Sequence, residues 1–216
     1  PVSGGYMNQP PSGDTPKSLD LKEFRRCAKR VVAASCSAFL EGVTEEKARK
    51  RERWQPYQRW LALLRPNDTI ISFNYDRVLE LLSPKVGSSH WGVHVEGLGR
   101  TAEDQDAADE ARLAGLPTLL KLHGSVDWTE ADGAVTRHEW SRDLLRKPTV
   151  PAIATPGPLK MQMAQEFFRD LWSRARKRLM DAQEIYVLGF GFPPSDAHPR
   201  EQLLNLNEML AGFRMF

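Results

Sequence analysis

The stretch from Leu119 to Trp128, LLKLHGSVDW, constrains the fold more than any other: an apolar run that stops abruptly at a histidine, a glycine and polar residues. A short apolar run bounded by turn residues suits a strand covered on both faces, as in a parallel sheet. Gly115 and Pro117 mark its start and Gly124 its end. In open α/β sheets ligands bind beyond the carboxyl ends of the strands, and this run delivers His123 and Gly124 to such an end. An imidazole there titrates near neutral pH and can act as a base. The plainer alternative is a histidine that caps the strand by bonding to backbone.

Two more runs have the same form. Asp68 to Phe73 (DTIISF) is β-branched and aromatic and leads into Asn74, Tyr75 and Asp76. Glu184 to Gly191 (EIYVLGFG) ends in glycines, which allow a ligand to approach the backbone closely. Helix capping by Asp76, a turn role for Asn74 and a tight turn at the glycines are the plain alternatives. Val150 to Pro156 reads as a further short strand.

Helical spacing fills much of the rest. Residues 1–18, rich in Pro, Gly and Ser, read as a flexible lead-in, and Ser18 as the cap of a helix from Leu19 to about Leu40. Its apolar positions Leu21, Phe24, Ala28, Val31, Val32 and Ala38 mark the face expected to meet the core. A second helical pattern from Thr44 to Leu64, kinked at Pro56, carries a mixed basic cluster that reads as a solvated face. A short helix is expected from Arg77 to Leu82, and an irregular or hairpin insertion from Lys85 to Arg100. Thr101 to Leu113 reads as a polar crossover helix, and a long helix opening at Pro158 carries the core stripe Phe168, Leu171, Trp172, Ala175 and Leu179. The segment from Thr129 to Lys147 is mixed, and its His138 receives no role. The loop PPSDAHPR brings Asp196, read as a loop-fixing carboxylate that can also touch ligand, and Arg200 to Phe216 reads as helix.

Length and charge narrow the function classes. A chain of 216 residues forms one substantial core, and a net charge of +2 gives no nucleic-acid signature. Cys27 and Cys36 would lie about 13 Å apart along one helix, too far for a disulfide, and a cysteine-rich zinc site is not expected. That usage fits the cytoplasm, and no run reaches the length of a membrane span. The chain begins at Pro1, so a preceding segment is expected.

The set of strand ends, SFNYD at Ser72 to Asp76, KLHG at Lys121 to Gly124 with Asp127 and Trp128, and Trp172 to Ala182 leading into VLGFGFPPSDAH, resembles the sirtuin-like NAD-consuming domains, particularly the bacterial antiphage-defence branch. The resemblance covers about residues 68 to 198. It implies a doubly wound, Rossmann-like, mostly parallel sheet with flanking helices over 19–216, with the helical segment 19–65 in front. By the same resemblance, His123 is the base and Asn74 positions water or substrate at the nicotinamide ribose. Ser72, Asp76, Gly124, Gly189, Phe190, Gly191 and Asp196 then line the NAD pocket.

Two departures qualify the transfer. The Cys-x-x-Cys pairs of the deacetylase branch are missing, and Gly4 and Gly5 follow no apolar run, so the first strand and its phosphate loop are expected to be absent. The implied function is NAD glycohydrolysis to nicotinamide and ADP-ribose, weak in this chain alone. The alternatives are a catalytically silent NAD or ADP-ribose binding module and a zinc-free protein deacylase. NAD is then a substrate and no metal takes part. The expected partners are NAD, a fused or separate effector or sensor domain and further copies of the chain; no membrane and no nucleic acid are expected.

Overall fold

The computed structural model describes residues 20–44, 47, 50, 52–83, 92–96, 115–146, 148–155, 166–189, 191, 201 and 213–215. The lead-in with Ser18, the crossover helix at 101–113, the start of the helix opening at Pro158, Phe190 and Asp196 lie outside the described residues.

The chain order begins with α1 (Leu21–Ala38), whose first turn is capped by Asp20 accepting the Lys22 amide at 2.9 Å. Its packed face is Lys29, Ala33 and Ser37, joined by Val32 and Cys36 against Val126 and Ile153. Of the positions predicted to meet the core, Val32 does so, whereas Leu21, Phe24 and Val31 are exposed by 65%, 56% and 65%. Small Ala33 and Ser37 let the helix backbone lie close on the sheet, while Lys29 lays its stem along the contact and meets Glu130 at 2.9 Å.

The single kinked helix expected at 44–64 is in its described part a 3₁₀ turn (Glu52–Trp54) followed by α2 (Gln55–Leu61). Pro56 falls in the first turn of α2, where a missing amide costs nothing. Trp54 and Leu61 are the buried anchors of this segment.

β1 (Thr69–Ser72) and α3 (Val78–Leu82) come next, followed by β2 (His94–Val95) and β3 (Thr118–Lys121). These three strands form a parallel sheet in the order β1-β3-β2. Ser72 pairs with Lys121, and the Leu122 amide donates to the Ser72 carbonyl at 3.0 Å, so β1 and β3 end level with each other. The His94 region, expected to be irregular or a hairpin, contributes an edge strand to this sheet.

The chain then turns at Leu122 and His123 and continues as β4 (Gly124–Ala131), β5 (Ala134–Arg137), a 3₁₀ turn (Arg142–Leu145) and β6 (Val150–Ile153). These strands form an antiparallel sheet in the order β5-β4-β6. Asp132 and Gly133, at φ 50° and 78°, make the two-residue turn between β4 and β5. The first half of the segment read as mixed and unassigned is therefore hairpin.

α4 (Arg169–Met180) closes the core over β3, burying Leu171 and Ala175. β7 (Ile185–Val187) pairs in parallel with β8 (Phe213–Met215), in a region read from sequence as helix. β7 was expected beside the other two strand ends; among the described residues it hydrogen-bonds to β8 alone. The architecture is mixed α/β with a small parallel sheet, and an antiparallel sheet stands where one mostly parallel sheet was expected. One stretch, Thr118 to Ala131, supplies the central strand of both three-stranded sheets.

Candidate functional site

His123 and Asn74 come from neighbouring strands. Each lies two residues beyond the paired residues Lys121 and Ser72, so both sit at the carboxyl edge of the parallel sheet. Their environments differ. His123 is 2% exposed, ringed by Phe73 at 5.1 Å, Trp172 at 6.1 Å and Tyr75 at 6.4 Å between ring centroids. Asn74 is exposed, its amide donating to Ser72 Oγ at 3.2 Å.

The turn carrying His123 is held from three sides. Its carbonyl accepts the Ala154 amide at 2.9 Å, and Trp172 Nε1 on α4 donates to the Leu122 carbonyl at 3.1 Å. The Tyr75 hydroxyl donates to the Ala154 carbonyl, which ties the loop after β1 to the end of β6. An imidazole in such an aromatic enclosure can accept or donate one proton where water is scarce; to meet a ligand, the rings must part.

Asp76 comes close to its plain reading as a helix cap, standing one residue before Arg77, which occupies the N-cap position. Its Oδ1 accepts the Val78 amide at 2.9 Å at the start of α3, and its carbonyl accepts from Lys121 Nζ. Gly124 has φ +83°, and a Cβ there would stand 2.0 Å from the Ala152 carbonyl oxygen and 2.8 Å from Phe168 Cζ. The chain itself therefore fills the space that the sequence reading assigned to a cofactor. Gly189, at φ +67°, and Gly191 have open space where a Cβ would go. The open face needed for close approach belongs to these two glycines, which follow β7, a strand paired with β8 and, among the described residues, with neither sheet flanking His123.

Three buried polar groupings escaped the sequence reading. Lys121 Nζ meets Glu80 Oε1 at 3.1 Å with both side chains almost wholly enclosed, which fastens α3 to β3. Asp127, 1% exposed, has its Oδ2 at 3.4 Å from Arg77 Nε and 3.8 Å from Arg137 Nε. Burial pushes the Arg137 guanidinium below its ordinary range, and the Asp127 charge opposes that push. The third is a side-chain hydrogen bond of 2.7 Å between Thr129 and His138. The only signal for the first two was a charged residue inside an apolar run, Lys121 in LLKL and Asp127 in SVDW.

A cleft of about 340 Å³ lies between α4 and the edge of the parallel sheet, lined by Glu96, Leu120, Arg174, Lys177, Arg178 and Asp181. Arg174 pairs with Glu96 across it. None of the predicted site residues lines this cleft. Among the described residues no three His, Cys, Asp or Glu side chains converge as a metal site, and no helix is long and apolar enough to cross a membrane. No protein-family model matches the chain, and no curated protein matches it.

Proposed function

We propose that the chain is a sirtuin-like, Rossmann-type domain that binds NAD and hydrolyses its nicotinamide glycosidic bond, in the cytoplasm and in the service of antiphage defence. The observation that carries the reading is the level ending of parallel β1 and β3, with Asn74 and His123 two residues beyond paired positions. Ligand sites of open α/β sheets lie at such carboxyl ends.

In the proposed reaction the bond between the ribose C1′ and the nicotinamide nitrogen breaks, and nicotinamide leaves with the electron pair. Water adds to C1′ of the oxocarbenium-like species, and its proton passes to the His123 imidazole. Asn74, exposed beside this turn, holds the water or a ribose hydroxyl through its carboxamide. Gly189 and Gly191, which have room for close backbone approach, take the ribose or phosphates.

A second reading, a silent NAD or ADP-ribose binding module that regulates a partner domain, draws on one specific observation. His123 is enclosed by Phe73, Tyr75 and Trp172, and the Asp76 carboxylate is engaged at the start of α3. Nicotinamide release by the full natural gene product separates the two. Hydrolysis predicts release that falls about 100-fold or more in Asn74→Ala and His123→Gln. Release at full rate in His123→Gln removes the base assignment. NAD binding by calorimetry without release at any trigger selects the binding module. Release that requires an acylated peptide selects the deacylase alternative.

A further inference from the structure

We infer that the Tyr75 ring is a gate over His123. It swings aside about its own side-chain bond to let a ligand reach the imidazole, and its hydroxyl, bonded to the Ala154 carbonyl, is the latch that holds it shut. The inference rests on the reading of His123 as the base. His123 is 2% exposed, whereas the three rings around it, Phe73, Tyr75 and Trp172, are each partly exposed. The rings therefore stand between the imidazole and solvent. Asn74, between Phe73 and Tyr75 in the chain, is exposed, so a ligand that reaches Asn74 meets a ring before it meets His123. A proton acceptor sealed in this way stays out of bulk water until its cover is displaced.

Of the three rings, Tyr75 is the one that moves most easily. Phe73 and Trp172 pack on the main core, and Trp172 is held further by α4 and by its bond to the Leu122 carbonyl at 3.1 Å. Tyr75 packs instead on the smaller cluster of Ala33, Val126 and Ile153, so less packed surface is disturbed when its ring leaves. It also lies farthest from the imidazole, at 6.4 Å between ring centroids against 5.1 Å and 6.1 Å. Its backbone is pinned: the Tyr75 carbonyl accepts the Val126 amide at 3.0 Å and Ser125 Oγ at 3.4 Å, and the Asp76 carbonyl accepts from Lys121 Nζ. The motion is thus a rotamer change on a fixed hinge rather than the opening of a loop, and Asn74 and Asp76 keep their places during it. The latch point is the residue that also holds His123, since the Ala154 amide donates to the His123 carbonyl at 2.9 Å.

Labelling of His123 by diethyl pyrocarbonate in the full chain at neutral pH, read by mass spectrometry, tests this. Cleavage after Lys121 and Arg137 gives a peptide in which His123 is the one histidine. Labelling should be slow in the wild type. Tyr75→Phe keeps the ring and removes the latch, so it should label about five- to tenfold faster, the weight of one net hydrogen bond. Tyr75→Ala removes the gate itself and should label faster still. Amide exchange at Leu119 and Leu120 should be the same in all three chains. A wild type that labels as fast as the urea-unfolded chain overturns the inference, as does slow labelling in all three chains, the result a permanently packed histidine would give. Faster labelling matched by equally faster exchange at Leu119 and Leu120 marks unfolding and also overturns it. NAD is absent from this measurement, so the gate and the hydrolase reading fail separately. A chain that labels as expected but never releases nicotinamide supports the gate and overturns the hydrolase.

Discussion

Gly124 and Gly189 both have positive φ, yet the two positions differ in what surrounds them. At Gly124 a Cβ would collide with the Ala152 carbonyl and Phe168, both held inside the core, whereas at Gly189 it would enter open space. Gly124→Ala should therefore destabilise by more than about 3 kcal/mol or prevent folding, while Gly189→Ala should cost about 1 kcal/mol from its backbone conformation alone. Urea unfolding of both variants checks this, and similar losses at the two sites would contradict the packing at Gly124. Packing also governs His123, whose enclosure by three rings makes His123→Ala a cavity costing about 2 kcal/mol. That is why the activity test uses His123→Gln. The Cys36 thiol is pushed up by burial, with the Asp76 charge adding to the shift and Lys121 opposing it. Its contribution to stability is intact below the ordinary thiol range and is lost as pH rises through the raised value. In a Cys27→Ser chain, labelling of Cys36 by a thiol reagent at neutral pH should be slow and should speed up in denaturant.

At the scale of elements, α3 is held to β3 by one buried ion pair. Glu80 Oε2 has no hydrogen-bond partner among the described residues, so Lys121 is its main compensation. Lys121→Met should cost about 3 kcal/mol or more by leaving Glu80 buried and uncompensated. The double variant Lys121→Met, Glu80→Leu should regain most of that loss, because replacing both charges removes the desolvation cost. A double variant no more stable than the single one would show that the contact with the Asp76 carbonyl, rather than the ion pair, holds the two elements together. The hairpin of β4 and β5 belongs to the same scale. Its Asp-Gly turn is a strong local signal that stands plainly in the chain at Asp132 and Gly133, but the surrounding polarity masked it.

For the molecule as a whole, the continuous path from β3 through the Leu122–His123 turn into β4 makes one stretch the spine of two sheets. Leu119, Leu120 and Leu122 are almost wholly buried, and the Trp128 and Phe168 rings meet at a tilt within the same core. Amide hydrogen exchange should accordingly be slowest from Leu119 to Val126, approaching the rate of global unfolding, and much faster in the exposed edge strand β5. Exchange in which the two sheets open separately, with β3 and β4 at different rates, would contradict the shared spine.

What the sequence alone determined is local in origin. Apolar runs bounded by glycine and proline marked β1, β3, β6 and β7, and helical spacing marked α1 and α4, because backbone preference and burial act over a few residues. The same runs placed His123 and Asn74 just beyond strand ends. Tertiary structure alone decided which strands pair, so that β7 joins β8 and the spine turns into an antiparallel sheet. It also decided which face of α1 is covered, where small Ala33 and Ser37 allowed closer approach than the apolar stripe. It enclosed His123 and filled the space beside Gly124. Each of these depends on contacts between residues far apart in the chain, and no local pattern carries that information.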